Sequence, residues 1–143
     1  MQKNESQNLK LEESAMAVVV CGDKILATVE TIYGKETLSL PKGHRENGET
    51  LVDTAMRECF EETNVIVTAK DFVKELPAYF YEFSTPTNQL VRKTVTPFLF
   101  VVDCVGQPLP KEQRILSVQW MSVDEFVEKC THESVKKVVA AIR

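Results

Sequence analysis

Along this chain, runs of consecutive apolar and β-branched residues alternate with segments in which apolar residues recur every three or four positions. Residues 15–21 (AMAVVVC) and 24–31 (KILATVET) are of the first kind, and the Gly22-Asp23 pair between them predicts a β-hairpin. Further strands are predicted within residues 74–83 and 91–105, and one that ends in residues 118–121. Pro97 has no N–H for a ladder hydrogen bond, which indicates a bulge or an edge position at that point.

The helical period is clearest over residues 51–63. Thr50 is followed three residues later by Asp53, the spacing of a capping box, in which each side chain accepts a hydrogen bond from the other residue's backbone N–H. The apolar positions of this segment form a stripe that can face a core; they are Leu51, Val52, Ala55, Met56, Cys59 and Phe60. The pattern predicts an amphipathic helix.

Two more helices are predicted in the C-terminal part of the chain. Ser122 and Glu125 give a start signal for a helix over residues 123–130. An amphipathic helix follows, marked by Val135, Val138, Val139 and Ile142. Strands before, between and after helices predict a mixed α/β or α+β domain of two or three layers. Because no linker, repeat or low-complexity tract divides the sequence, we assign one domain over residues 1–143, with residues 1–9 as a polar, poorly ordered segment.

Composition excludes several classes of function. With 143 residues, 43% of them apolar, the chain is long enough to bury a core without disulfides or a structural metal. Its longest apolar run, residues 15–21, is far shorter than the ~20 residues of a membrane-spanning helix. The net charge is −4 and no basic tract is present, which excludes long nucleic acid as a partner. The N-terminal residues 1–14 lack the apolar centre of a secretory signal, so we expect a cytoplasmic protein.

The four cysteines, Cys21, Cys59, Cys104 and Cys130, include no closely spaced pair of the kind that builds zinc sites or redox motifs. Each lies in or beside an apolar stretch, where a free cysteine packs as a small hydrophobic residue. We therefore expect all four to be reduced and structural.

The predicted helix over residues 51–63 carries a cluster of acidic residues. Glu58, Glu61 and Glu62 follow one another at i, i+3 and i+4, so their carboxylates gather on one face and repel each other by a few tenths of a kcal/mol per pair. Arg57, four residues before Glu61, can pair with it. Such a face is either solvated surface or a site for a hard cation such as Mg²⁺ or Mn²⁺, which prefers carboxylate oxygens.

The segment in front of this helix favours the cation site. Residues 40–44 (LPKGH) end a β-prone stretch and open a turn-rich loop that delivers Glu49 just before the helix. A strand, loop and helix unit of this kind can bring backbone carbonyls and a fourth carboxylate to the same ion.

Residues 43–65, GHRENGETLVDTAMRECFEETNV, resemble the box of the Nudix family. The positions that match the family's pattern at the right spacing are Gly43, Glu49, Arg57, Glu58, Glu61, Glu62 and Val65. Asn64 stands where the family has Gly, and Cys59 stands at an aliphatic position. Asn is the next-best residue for the left-handed conformation that ends a helix, and Cys59 falls on the apolar stripe. Neither change touches a carboxylate.

The resemblance implies an α/β/α sandwich with a mixed sheet, and hydrolysis of a nucleoside diphosphate linked to another moiety with Mg²⁺ or Mn²⁺. It implies that the metal is held by Glu58, Glu61 and Glu62 with help from the Gly43 carbonyl, and that Arg57, Glu58 and Glu61 take part in catalysis. Gly43 and Glu49 are then structural positions of the box. Glu58 or a carboxylate outside the box serves as general base, and Glu112 is a candidate for that outside carboxylate and for a metal ligand, although a plain surface position is the alternative for it.

Features outside the box resemble the branch of the family that hydrolyses dinucleoside polyphosphates such as diadenosine tetraphosphate. These are the Pro-Lys-Gly-His start of the box, a tyrosine past the box and a later Lys-Thr-Val strand. An aromatic side chain can stack on a nucleobase and cationic groups can meet a phosphate chain, while core packing is the alternative for the tyrosines and solvent exposure for the others. The candidate substrate contacts are Lys42, His44, Tyr79, Tyr81 and Lys93.

Two other functions stay open at this stage. A MutT-like nucleoside triphosphate pyrophosphohydrolase would share the metal site and need a tighter base pocket. A nucleotide-binding regulatory module would keep the fold without turnover, although a pure binder gains little from concentrating repulsive carboxylates. In each case the partner is a small nucleotide, and the sequence leaves monomer and homodimer undecided.

Overall fold

A computed structural model describes residues 8–104 and 107–142 of this protein, in which eight strands and three α-helices are present. The strands are β1 (Leu9–Cys21), β2 (Lys24–Ile32), β3 (Lys35–Ser39), β4 (Lys42–His44), β5 (Phe72–Glu75), β6 (Tyr79–Ser84), β7 (Leu90–Val101) and β8 (Ile115–Ser122). The helices are α1 (Leu51–Thr63), α2 (Val123–Lys129) and α3 (Glu133–Ala140), and a single 3₁₀ turn covers Ala69–Asp71.

The strands form one mixed sheet in the order β3-β2-β1-β7-β5, with β4 beside β1, β6 beside β7 and β8 beside β2. β1 and β7 run parallel and the other described pairs are antiparallel. β1 is buried on both faces: Ala17 and Val19 pack towards α1, whereas Met16 and Val18 pack towards α2 and α3. This explains the uninterrupted apolar run in β1 and confirms the predicted α/β/α sandwich with a mixed sheet.

The predicted signals for α1 are present in the structure. Thr50 Oγ1 accepts a hydrogen bond from Asp53 N at 3.2 Å, and Asp53 Oδ2 accepts one from Thr50 N at 3.3 Å. At the other end, Asn64 adopts the left-handed conformation with φ 66°. Most of the apolar stripe faces the sheet, but Phe60 is exposed, with the Lys111 ammonium over its ring.

Some predicted elements have different bounds. The zone 74–83 is divided between two strands, β5 and β6, and the zone 91–105 is a strand as far as Val101, with residue 105 outside the described ranges. Pro97 lies inside β7 and not at the sheet edge. Leu76 lies in the break between β5 and β6, and its backbone N–H donates to Pro97 O at 2.9 Å. Because the missing N–H of Pro97 falls at this break, no hydrogen-bond acceptor on a neighbouring strand is left without a donor.

Two regions predicted from composition also differ. β1 begins at Leu9, within the segment predicted to be poorly ordered, and residues 1–7 lie outside the described ranges.

The expectation of four reduced cysteines is wrong for Cys21 and Cys104, which form a disulfide. The parallel pairing of β1 and β7 brings these two positions together, and that pairing is invisible in the spacing of cysteines along the chain. Cys59 and Cys130 are free and buried as expected.

None of the described helices is long and apolar enough to cross a lipid bilayer.

Candidate active site

The Arg57 guanidinium ties the loop after β4 to the exposed side of α1. Its Nε lies 2.6 Å from Glu49 Oε2 and its Nη2 lies 3.0 Å from Glu49 Oε1, and Nη2 also donates to the His44 carbonyl at 2.9 Å. Its Nη1 reaches Glu58 at 3.0 Å and Glu61 at 3.1 Å. One side chain therefore fixes the loop that precedes the helix and two carboxylates of the helix.

Glu49 is an anchor for this loop. Besides the two bonds from Arg57, its carboxylate accepts hydrogen bonds from Thr54 Oγ1 at 2.8 Å and from Glu46 N at 3.0 Å. The hydrogen bond from Arg57 is the main cause that lowers the pKa of Glu49 to about 2. The sequence allowed Glu49 to join the other carboxylates around one ion, but its oxygens are occupied by the arginine, as its structural position in the box implies.

The Glu58 carboxylate packs directly on Gly43. A β-carbon on Gly43 would lie 2.6 Å from Glu58 Oε1 and closer still to the other carboxylate atoms, so only glycine fits beneath this side chain. Gly43 lies in β4, which pairs with β1 through Ala15 and Gly43. The glycine thus fixes the distance between β4 and the carboxylates of α1, and burial raises the pKa of Glu58.

Three carboxylates converge beside this contact. Oxygen atoms of Glu58, Glu61 and Glu112 lie within 4.8 Å of one another. Glu58 and Glu61 come from α1, and Glu112 comes from the segment before β8, about fifty positions further along the chain. The structure thus brings Glu112, a candidate from outside the box, to the carboxylates of the box.

Glu62 has a different environment from the other two helix carboxylates. It is buried, with a side chain 1% exposed, and its Oε2 accepts a hydrogen bond from Arg114 Nη2 at 2.8 Å. Burial raises the pKa of Glu62, although the Arg114 guanidinium opposes this shift. The three helix carboxylates therefore do not form one solvated face, because Glu62 points into the protein.

Glu30 and Arg114 are site residues that the sequence did not reveal. Glu30 is a buried acid in β2, and it accepts hydrogen bonds from Arg114 Nη1 at 2.7 Å and from Lys42 Nζ at 3.3 Å. The available signal was a single glutamate inside the β-prone run 24–31, where a charge in a buried strand requires a cationic partner. Nothing in the sequence indicates that this partner is Arg114.

A cavity of about 460 Å³ beside these carboxylates is lined by both acidic and nitrogen-bearing side chains. The predicted substrate contacts Lys42, His44, Tyr81 and Lys93 all line it, together with Arg114. Burial, with the nearby Lys93 ammonium second, lowers the pKa of His44, and burial lowers the pKa of Lys93. The acidic residues in the lining are Glu30, Glu58 and Glu112, and Gly43 also lines the cavity.

The structure does not bring Tyr79 to this cavity. Tyr79 and Tyr81 lie on the same face of β6, but Tyr79 packs on the core and lines another cavity, with Val138 of α3. Burial raises the pKa of Tyr79, and the same cause raises the pKa of Tyr81. Of the two tyrosines proposed from the sequence, Tyr81 is the one beside the carboxylates.

The clustered carboxylates of this site fit a hard divalent cation. Glu58, Glu61 and Glu112 offer convergent carboxylate oxygens, the donor type that Mg²⁺ and Mn²⁺ prefer over nitrogen or sulfur. Gly43, on which Glu58 packs, contributes a backbone oxygen of the same donor type. Convergent carboxylates that suit a divalent cation, together with cationic side chains that suit phosphate oxygens, are the groups that a metal-dependent hydrolase of phosphates uses.

Comparison with known proteins agrees with this class. A family model described as the NUDIX domain matches residues 11–142. The chain is 31% identical over 118 residues to "Phosphatase NudJ" of Escherichia coli strain K12, a match that covers 78% of this chain and 68% of the relative. This protein belongs to the Nudix family and is a Nudix hydrolase, an enzyme acting on nucleotide-linked phosphoanhydrides. Members of the family generally require a divalent metal.

Solved structures share the fold at low sequence identity. The Nudix domain of Shewanella oneidensis NrtR, crystallised with ADP ribose, has a TM-score of 0.75 at 13% identity, covering 100% of this chain and 97% of that one. A Caenorhabditis elegans Ap4A hydrolase binary complex has a TM-score of 0.69 at 15% identity, covering 92% and 94%. These similarities confirm the fold. The substrate has to be inferred from the residues that line the cavity.

Proposed function

We propose that this Nudix hydrolase cleaves a phosphoanhydride bond in dinucleoside polyphosphates such as diadenosine tetraphosphate, with Mg²⁺ or Mn²⁺ as the metal. The observation that carries the proposal is the composition of the cavity. Lys42, His44, Lys93 and Arg114 line it together with the carboxylates of Glu58 and Glu112.

Such a lining favours a ligand with a long phosphate chain. Lysine and arginine side chains bind phosphate oxygens through charge-assisted hydrogen bonds, and three of them line one cavity here. Tyr81 is the one tyrosine, tryptophan or phenylalanine among the lining residues that the structure describes. A single aromatic ring offers a stacking surface for one base without the enclosed pocket that discriminates among nucleoside triphosphates.

The carboxylates bind the metal in this proposal, and Arg57 positions them. Glu58, Glu61 and Glu62, with the Gly43 carbonyl, would hold the metal, with Glu112 as a further ligand. When bound, a divalent cation supplies positive charge that neutralises the diphosphate and polarises the reacting phosphorus. Arg57 positions Glu58 and Glu61 through its hydrogen bonds.

The reaction itself is a hydrolysis. A water oxygen forms a bond to phosphorus while the anhydride P–O bond breaks, and Glu58 or Glu112 accepts the proton of the water. The electron pair of the broken bond leaves with the departing phosphate group. Lys42 and Lys93, which line the same cavity, would compensate its charge.

The alternative function is a MutT-like nucleoside triphosphate pyrophosphohydrolase. The same carboxylates would serve it, and the base would have to be recognised around Tyr81. The name of the Escherichia coli relative, a phosphatase, adds release of inorganic phosphate as a third product pattern to be measured. The three patterns differ in products and are separable in one assay.

A substrate panel tests the proposal. Diadenosine tetraphosphate, diadenosine triphosphate, ATP and dGTP are incubated with the protein and Mg²⁺ or Mn²⁺, and products are separated by chromatography. We expect diadenosine tetraphosphate to be cleaved to mononucleotides, either ATP with AMP or two ADP. Efficient turnover of the triphosphates, with the dinucleotides left intact, would contradict the proposed substrate and favour the alternative.

A matched pair of variants tests whether the carboxylates perform this hydrolysis. Glu62→Gln is expected to abolish metal-dependent turnover while the melting temperature stays equal or rises, because burial and the nearby Glu58 and Glu30 carboxylates already oppose a charge on Glu62. Glu75→Gln, in the exposed strand β5, is expected to keep full activity. Unchanged turnover in Glu62→Gln would remove the metal-binding role of this residue.

A further inference from the structure

Arg114 forms an ion-pair bridge inside the cavity. Its Nη1 lies 2.7 Å from Glu30 Oε1 and its Nη2 lies 2.8 Å from Glu62 Oε2 and 3.3 Å from Glu112 Oε1. Glu30 and Glu62 are both buried, whereas the Arg114 side chain is 44% exposed at the cavity wall. The Arg114 side chain thus pairs with two carboxylates, those of Glu30 and Glu62, that are shielded from solvent.

This bridge conflicts with metal binding by the same carboxylates. One oxygen of Glu62, Oε2, is already hydrogen-bonded to a cation. Glu112, which converges with Glu58 and Glu61, is also within ion-pair distance of the guanidinium. A divalent cation on these carboxylates would repel the Arg114 guanidinium at close range. Arg57, which contacts Glu58 and Glu61, is held in place by its two bonds to Glu49, whereas the Arg114 side chain is 44% exposed at the cavity.

We infer that Arg114 exchanges its partners: it occupies Glu62 and Glu112 in the metal-free enzyme, releases them when the metal binds, and then binds a phosphate group of the substrate. This inference rests on the proposed function, since it presupposes a metal at the carboxylates and a phosphate chain in the cavity. It concerns a residue outside the box.

The surroundings of Arg114 allow this exchange. Glu30 keeps a cationic partner when Arg114 leaves, because Lys42 Nζ lies 3.3 Å from Glu30 Oε2. The guanidinium already lines the cavity, so a small rotation of a long side chain takes it from carboxylate to phosphate. A planar guanidinium matches the geometry of either anion with two parallel hydrogen bonds.

Direct metal binding tests the first half of the inference. The Mn²⁺ affinity of the nucleotide-free protein is measured from the electron paramagnetic resonance signal of unbound Mn²⁺, for the wild type, Arg114→Gln and Arg114→Lys. Removing a competing cation is expected to tighten Mn²⁺ binding about tenfold, which is ~1.4 kcal/mol. Arg114→Lys is expected to change the affinity in the same direction by a smaller factor, because an ammonium cannot bridge Glu30 and Glu62 with a planar fork.

If Arg114→Gln does not fold, Arg114→Lys still tests the inference, because lysine keeps a positive charge beside the buried Glu30 and Glu62. The matched control is Arg92→Gln, which removes a partly exposed arginine paired with Glu82 and is expected to leave Mn²⁺ binding unchanged. Equal or weaker Mn²⁺ binding in the folded Arg114 variants would overturn the exchange, because a purely structural bridge predicts that result.

A second measurement tests the phosphate contact. Calorimetric titration with inorganic pyrophosphate at saturating Mg²⁺ is expected to show binding about tenfold weaker in Arg114→Gln than in the wild type, and unchanged binding in Arg92→Gln. Equal pyrophosphate affinity in the wild type and Arg114→Gln would overturn the proposed transfer to phosphate.

The outcomes separate this inference from the proposed function. If the wild type binds Mn²⁺ no better than Glu62→Gln does, the metal site itself fails and the inference falls with it. If the wild type binds Mn²⁺ at Glu62 and the Arg114 variants bind it no more tightly, the metal site stands and the role of Arg114 is wrong.

Discussion

Gly43 and Glu58 pack so closely that no β-carbon fits between them. The glycine has no positive φ, so its requirement is space and not backbone conformation. A side chain at this position must push the Glu58 carboxylate away from its neighbours.

We therefore expect Gly43→Ala to lose about 10²-fold in kcat/KM, the scale that follows when a reacting group is displaced by about 1 Å. The fold should survive, since the substitution crowds one side chain only. Hydrolysis kinetics together with circular dichroism measure both effects.

The matched control is Gly34→Ala. Gly34 has φ +77° and open space around its α-carbon, so the variant is expected to lose about 1 kcal/mol of stability through backbone strain and to keep its activity. Full activity in Gly43→Ala would mean that the position of Glu58 does not limit hydrolysis.

The Arg57–Glu49 pair predicts a pH-dependent contribution to stability. The pKa of Glu49 is about 2 in the folded protein against an ordinary 4.5, so the unfolded chain takes up the proton first as the pH falls. The stabilisation by ionised Glu49 is therefore complete above pH 4.5 and disappears as the pH falls towards 2.

Glu49→Gln should accordingly reduce the free energy of unfolding by about 1 kcal/mol at pH 7, and the difference from the wild type should shrink between about pH 5 and pH 2. Urea unfolding followed by fluorescence of the single tryptophan, Trp120, measures this at each pH. Glu36→Gln, on the exposed part of β3, serves as the control without an effect. A difference that stays constant with pH would show that Glu49 is not held as an ion by Arg57.

Tyr81 and Phe80 provide a neighbouring pair for testing the substrate contact. Tyr81 lines the cavity, whereas Phe80, on the other face of β6, is 60% exposed. Loss of a stacked base is worth roughly 1–3 kcal/mol, so Tyr81→Ala is expected to raise KM about tenfold or more with a smaller change in kcat. Phe80→Ala is expected to leave KM unchanged, and an equal effect of the two substitutions would rule out Tyr81 as the specific base contact.

The thiol of Cys59 is expected to be inert in the folded enzyme. Burial raises its pKa to about 12, so the thiol is neutral at pH 8, and it lies in the core between α1 and the sheet. Mass spectrometry after iodoacetamide treatment should find Cys59 unmodified in native protein and modified after denaturation. Rapid modification at pH 8 in the native state would indicate that α1 opens from the sheet.

Features set by neighbouring residues were predictable from sequence. The cap of α1 depends on Thr50 and Asp53, three positions apart, and its end depends on the conformational tolerance of Asn64. The acidic cluster was visible for the same reason, because helical periodicity alone places Glu58 beside Glu61. The resemblance to a family pattern then supplied what these residues do.

Features set by strand pairing were not predictable from sequence. Glu30 and Arg114 are 84 positions apart and meet where β2 pairs with β8, and Cys21 and Cys104 meet where β1 pairs with β7. Alternation along β6 put Tyr79 and Tyr81 on one face but could not reveal that Tyr79 packs against α3.

X-ray diffraction from crystals soaked in Mn²⁺, with data collected near the manganese absorption edge, tests the central claim most directly. We predict an anomalous peak in contact with the carboxylates of Glu58, Glu61 and Glu62, next to the Gly43 carbonyl. A peak bound elsewhere on the protein, or no peak at a Mn²⁺ concentration that supports full hydrolysis, would contradict a metal centre built from these residues.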